Sequence, residues 1–116
     1  MTIPLCWRWY RKGGKSKIEL AQDLLKEIRD VWRIKPTAVL MDAFYPAKEI
    51  VNQISAYGWH FVTRLKKNRI INCCRLDEDL TEEGDSTKGW LSEFCQVGVI
   101  KHDQRYLATN NTSLSS

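Results

Sequence analysis

Residues 37–65 read TAVLMDAFYPAKEIVNQISAYGWHFVTRL, a strand, a helix and a second strand in immediate succession. Thr37 to Met41 is apolar at nearly every position and is bounded by Pro36 and Asp42. A run apolar on both faces predicts a strand in the middle of a sheet, covered by helices on both sides. Pro46 suits the first turn of the helix, Ile50, Val51, Ile54 and Tyr57 make its apolar stripe, and Gly58 is its stop signal. Trp59 to Leu65 then reads as the next strand. A helix between two strands is a βαβ crossover, which predicts parallel pairing.

Working outward, Ile3 to Tyr10 (IPLCWRWY) is β-branched and aromatic enough to predict another strand, with Trp7, Trp9 and Tyr10 as core and sheet cover. Arg11 to Lys15 is a basic turn with paired glycines. Ser16, with Glu19 three residues on, forms a capping box. Ile18, Ala21, Leu25, Ile28 and Trp32 then recur at helical spacing opposite a charged face. Residues 1–69 are thus expected to form a βαβαβ core. Beyond it, Arg69 to Cys74 predicts a short strand and Asp77 to Lys88 a polar, acidic loop. Trp90 to Ile100 and Arg105 to Thr109 predict antiparallel strands joined at 101–104. The polar end, Asn110 to Ser116, is expected to be poorly ordered.

A length of 116 residues suits one domain. Apolar residues at 43% and charged residues at 28% exclude collagen, a coiled-coil rod and generic disorder. No run of ~18 apolar residues exists to span a membrane, and Met1 to Tyr10 lacks the layout of a signal peptide; a cytoplasmic chain is expected. Charge is unevenly placed. Residues 1–76 carry 15 Lys/Arg against 6 Asp/Glu (+9), and residues 77–116 carry 3 against 8 (−5), which sum to the net +4. The first two thirds therefore favour a polyanionic partner. Cys6, Cys73, Cys74 and Cys95 have no metal-binding spacing, His60 and His102 stand alone, and Cys73 and Cys74 on one strand would face opposite ways.

Asp42 is the leading candidate for chemistry. It ends the most apolar strand and precedes a loop into a helix, and ligands of open α/β sheets bind beyond the carboxyl ends of strands. A helix cap or turn is the plainer role for such an aspartate. Two basic clusters, Arg8, Arg11, Lys12, Lys15 and Lys17 and then Arg64, Lys66, Lys67 and Arg69, suit phosphate contacts. With parallel neighbouring strands, the loop after Leu65 leaves the same sheet edge as Asp42. Phosphate-cradling Gly-rich loops, a Gly-x-Ser-x-Gly elbow and a His-Glu-x-x-His pair are all missing.

The segment Val39-Leu40-Met41-Asp42-Ala43-Phe44-Tyr45, a helix, and then Phe61-Val62-Thr63-Arg64-Leu65-Lys66-Lys67-Asn68-Arg69 resembles the second-aspartate region of DDE transposases of bacterial insertion sequences, of the IS-four-like group. There a hydrophobic strand ends in Asp, an aromatic pair follows, and the next strand runs into a Lys-x-Asn-Arg tract. Ile3-Pro4-Leu5 with Trp7, Arg8 and Tyr10, Ser16 to Ala21, and Tyr106 to Asn110 are similar to flanking parts of the family. The resemblance implies an α/β, partial ribonuclease-H-like fold: a mixed sheet with two helices and a C-terminal β-rich, insertion-like segment over 70–116. It implies cutting and joining of DNA at insertion-sequence ends by two Mg²⁺ (or Mn²⁺) ions held by three carboxylates. Of these only Asp42 transfers as a catalytic and metal-binding residue. Arg8, Arg11, Lys12, Lys15, Arg64, Lys66, Lys67 and Arg69 are the DNA-binding candidates.

Residues 1–41 offer only Asp23 and Asp30 for the family's first Asp, both on a helix, and no Tyr-x-x-Arg tract marks its final Glu. The chain is therefore expected to be an internal fragment, inactive alone and without tight metal binding. It is also expected to be marginal as an isolated fold and prone to self-association. Two rival readings are a non-catalytic basic DNA-binding or interaction module and a decayed remnant with no function.

Overall fold

The computed structural model describes residues 6–43 and 45–111. It divides into two compact units, Met1–Lys35 and Pro36–Ser116, each taken by itself below.

The first unit is built on α1 (Lys17–Asp30). Ser16 Oγ accepts from Glu19 N (3.1 Å), and the Glu19 carboxylate accepts from Ser16 N (3.3 Å), so the capping box forms as expected. Leu25 is the buried residue of the stripe. The strand expected over Ile3 to Tyr10 does not form within the described part, residues 6–10, and Ile3, Pro4 and Leu5 lie outside the described residues. Trp7, Trp9 and Tyr10 are exposed rather than core, Trp9 to 80%. Aromatic content favours a strand only where a neighbouring strand takes up its backbone groups and a core its rings. Among the described residues, Cys6 to Tyr10 has no strand partner.

The second unit is a five-stranded mixed sheet with helix α2. Its strands are β1 (Val39–Met41), β2 (Phe61–Leu65), β5 (Ser86–Ser92), β6 (Cys95–His102) and β7 (Arg105–Thr109), in the order β1-β2-β7-β6-β5. Only β1 and β2 pair in parallel, in the register Val39↔Phe61, Leu40↔Val62, Met41↔Thr63, and the other neighbours are antiparallel. Between β2 and β5 lie a two-stranded hairpin, β3 (Ile70–Ile71) and β4 (Cys74–Arg75), and one turn of helix, α3 (Leu76–Asp79). The chain is a mixed α/β protein of the kind expected, consistent with a partial ribonuclease-H-like fold, with three helices among the described residues. No described helix is long and apolar enough to cross a membrane.

Helix α2 (Lys48–Ala56) buries Ile50, Val51 and Ile54 and lies against β5 and β6. It starts two residues after Pro46, with Ala47 as N-cap. It stops as its sequence predicts: Gly58 takes φ +75°, its N–H reaches Ser55 O (3.0 Å), and Trp59 N reaches Ile54 O (3.1 Å). These are the two bonds of a Schellman motif, in which glycine escapes the Cβ penalty of a left-handed residue. Ser55 Oγ also donates to Cys95 Sγ (3.5 Å), tying helix to sheet.

One face of the sheet holds the core: Phe61, Thr63 and Leu65 on β2, Tyr106 and Ala108 on β7, Val97 and Val99 on β6, and Leu91 on β5. The alternate residues, including Leu40, Val62, Ile100 and Trp90, are exposed. This corrects the expectation for Thr37 to Met41. Among the described residues β1 is an edge strand with one open face, and Leu40 is 78% exposed. An apolar run of five cannot by itself distinguish a central strand from an edge strand that leaves one side bare.

The hairpin replaces the single strand expected over Arg69 to Cys74. Its two-residue turn, Asn72–Cys73, has φ of 55° and 67°, the left-handed pair that matches strand twist. Asn tolerates this conformation, whereas Cys in the second position is under strain. Cys73→Gly is therefore expected to stabilise the second unit by ~0.5–1 kcal/mol, read as a higher denaturant midpoint at unchanged slope. An unchanged or lower midpoint would mean that the turn does not store this strain.

Candidate functional site

Because β1 and β2 are parallel, both deliver their carboxyl ends to one sheet edge. Asp42 leaves β1 there, and the loop 66–69 leaves β2 there. The sequence predicted this juxtaposition, and the register places it.

Asp42 is exposed. Its Oδ1 accepts from Ala43 N (2.7 Å), and its carbonyl accepts from Tyr45 N (3.0 Å). The carboxylate therefore also plays the turn-forming role that an aspartate commonly takes before a helix. Among the described residues no cation stands within ion-pair distance of it. Behind it, Thr63 is 1% exposed, with Oγ1 3.2 Å from Met41 O and 3.4 Å from Asp42 O. The hydroxyl has one proton to give and also lies 3.1 Å from Arg64 O on its own strand, so a bond to Met41 O, when made, ties the end of β1 that carries Asp42 to β2. Sequence reading missed Thr63. The available signal was a polar residue at an inward position of an alternating strand, where a buried hydroxyl needs a partner.

Beside Asp42 opens a cleft of about 460 Å³ lined by Ala43, Pro46, Ala47, Leu65, Lys66, Asn68, Arg69 and Ile70. Its basic rim is pre-shaped by backbone bonds: Arg69 N to Lys66 O (3.0 Å), Asp77 N to Lys67 O (2.9 Å) and Leu76 N to Arg69 O (2.9 Å). Lys66 and Lys67 are exposed and Arg69 is half-buried. Two acids that follow the loop, Asp77 and Glu78, are engaged by Arg75 at 2.7 and 3.8 Å. Among the described residues, none of Lys66, Lys67 and Arg69 makes an ion pair, so their charge is left for an external anion. Arg64 stands apart from the rim. It alternates outward from β2 onto the open sheet face, opposite Leu107.

The N-terminal cluster belongs to the first unit, and much of its charge is spent locally. Arg8 binds Glu27 (2.5 Å), which also accepts from Trp32 Nε1 (3.1 Å), and Lys15 binds Asp23 (2.8 Å). The bond from Arg8, helped by that from Trp32, holds the Glu27 carboxyl below the usual carboxylate range. Lys15 does the same for Asp23. The Lys17 ammonium lies 5.2 Å from the centre of the Tyr10 ring. Arg11 and Lys12 are exposed in the turn.

Two divalent ions would need several anionic oxygens converging on one point. Among the described residues no group of three or more His, Cys, Asp or Glu side chains could hold a metal ion, Asp42 included. The donor set here does not fit such a centre, and no step is assigned through one.

No curated protein and no solved structure matches the chain. A family model, described as "Transposase DDE domain", matches residues 9–90, more than two thirds of the sequence. That span holds Asp42, the cleft and the basic loop, and it ends within β5. The chain with this edge of Asp42 beside an unneutralised basic rim belongs to the transposase DDE domain family.

Proposed function

We propose that this edge faces a DNA backbone, with Lys66, Lys67 and Arg69 contacting phosphates and Asp42 supplying one carboxylate of a transposase centre. The observation that carries the reading is the basic rim: three cations fixed on a bonded loop, beside the strand-end aspartate, with the neighbouring acids occupied by Arg75. The DNA would be the ends of an insertion sequence of the bacterial, IS-four-like kind, and the chain would act in the cytoplasm. Arg8, Arg11, Lys12, Lys15 and Arg64 would add weaker, diffuse attraction, because Arg8 and Lys15 already hold carboxylates.

With no three-ligand group among the described residues, the chain by itself would not carry out strand transfer or hold Mg²⁺ or Mn²⁺ tightly. The further ligands would come from residues seated beside β1, whose outer edge is unpaired among the described residues. The second reading is a DNA-binding module acting without catalysis, for which the same basic rim would serve. The open sheet face with Leu40, Val62, Ile100 and Trp90 would favour self-association.

The test is the salt dependence of binding to a duplex. Changing Lys66, Lys67 and Arg69 together to glutamine is expected to reduce the slope of log affinity against log salt by about 2–3, near one unit per lost phosphate contact. The same change at Arg8 and Lys15 is expected to reduce it by less than about 1. An unchanged slope in the triple variant would overturn the assignment of the rim.

A further inference from the structure

We propose that Cys73 and Cys74 form a two-thiol binding site for a soft, thiophilic centre of the trivalent organoarsenical class. The two cysteines are adjacent across a trans peptide, which keeps their Cα atoms about 3.8 Å apart. On an extended strand their side chains would point to opposite faces. Here Cys73 is not extended: it takes φ 67° at the tip of the Asn72–Cys73 turn, and Cys74 opens β4. The alternation that would separate the thiols is broken at the residue between strand and turn.

Both side chains are exposed, and neither sulfur makes a hydrogen bond among the described residues. The other two cysteines are poor competitors. Cys95 is buried and accepts from Ser55 Oγ, and Cys6 is half-buried. Burial pushes both of those thiols up, with a bond to Glu27 adding to the effect at Cys6. Less thiolate at a site means less nucleophile.

A bridging atom suits this pair better than a direct disulfide does. A disulfide between neighbours closes an eight-membered ring around a trans peptide and holds the sulfurs at about 2.05 Å. One arsenic atom between them enlarges the ring to nine members and lets the sulfurs stand farther apart. The step balances without an oxidant. An aryl arsenoxide, R–As=O, exchanges its oxygen for two As–S bonds, and both thiol protons leave in the water formed. The tip also touches the body of the fold, since Asn72 Nδ2 donates to Lys88 O and lies 3.3 Å from Thr87 Oγ1. Occupation of the pair would therefore be felt at β5.

The test uses phenylarsine oxide and the full-length chain. Two of the four thiols should become unreactive per arsenical bound, excess free dithiol should restore them, and the tryptic peptide 70–75 should carry the adduct. Cys73→Ser and Cys74→Ser should each weaken binding by about 100-fold or more, because the second thiol then no longer acts at high effective concentration. Both positions are exposed, so unchanged circular dichroism is expected for either variant, and Cys6→Ser should bind as the parent does. An adduct located at Cys6 or Cys95, or single variants that bind as tightly as the parent, would overturn the proposal.

Discussion

Gly89→Ala is expected to destabilise the second unit by about 2–3 kcal/mol, the cost of forcing a methyl group into filled space. A Cβ at Gly89 would lie 2.0 Å from Ile71 Cγ2 and 3.2 Å from Asn72 Oδ1. Ile71 is 2% exposed and cannot swing away into solvent. The hairpin must therefore lift from β5, losing the Asn72 bonds to Lys88 and Thr87 as it does. Urea titration reads the loss as a lower midpoint. Combining Gly89→Ala with Ile71→Ala removes the clashing methyl, so the pair should cost at least ~1 kcal/mol less than the sum of the single changes. Additive costs would mean that the hairpin does not sit on β5 as described.

The second large effect separates the two faces of the sheet. Phe61 is the largest fully buried side chain, and Phe61→Ala is expected to cost about 3–5 kcal/mol. That is a large part of the 5–15 kcal/mol that holds a typical domain together. Leu40 is one register step from Phe61's partner Val39, on an apolar strand, yet Leu40→Ala is expected to change stability by no more than ~0.5 kcal/mol. Thermal or urea unfolding of the two variants checks the pair. A loss at Leu40 of 2 kcal/mol or more would mean that a covering element packs on the open face.

The local parts of this fold were legible in the sequence, and the reason is physical. The capping box at Ser16 and Glu19, the stop at Gly58 and the strand read over Trp59 to Leu65, found at Phe61–Leu65, each rest on a few neighbouring residues whose chemistry is self-contained. Parallel pairing of β1 with β2, and with it the meeting of Asp42 and the loop 66–69, followed from one helix lying between two strands. What stayed hidden depends on partners distant in sequence. Thr37 to Met41 reads as central because it is largely apolar, and only the sheet order reveals an edge. Ile3 to Tyr10 reads as a strand because composition does not say whether a neighbour will pair with it, and among the described residues none pairs with Cys6 to Tyr10. The need for glycine at 89 arises from Ile71, and the bond of Thr63 to Met41 spans 22 residues. At the site, the sequence supplied charge and the structure supplied its disposition: Arg8 and Lys15 are neutralised at home, while Lys66, Lys67 and Arg69 are not.

The central claim is that the carboxyl edge of β1 and β2 is the surface presented to DNA, and amide chemical shifts report it directly. A short duplex added to isotopically labelled chain should shift Asp42, Ala43 and Lys66 to Arg69. The turns at Glu93–Phe94 and Asp103–Gln104, which join the antiparallel strands, should remain still. Raising the salt should return the shifted amides toward their free positions. Shifts confined to residues 8–17, or to the antiparallel turns, with the Asp42 and Lys66 to Arg69 amides unmoved, would contradict the account.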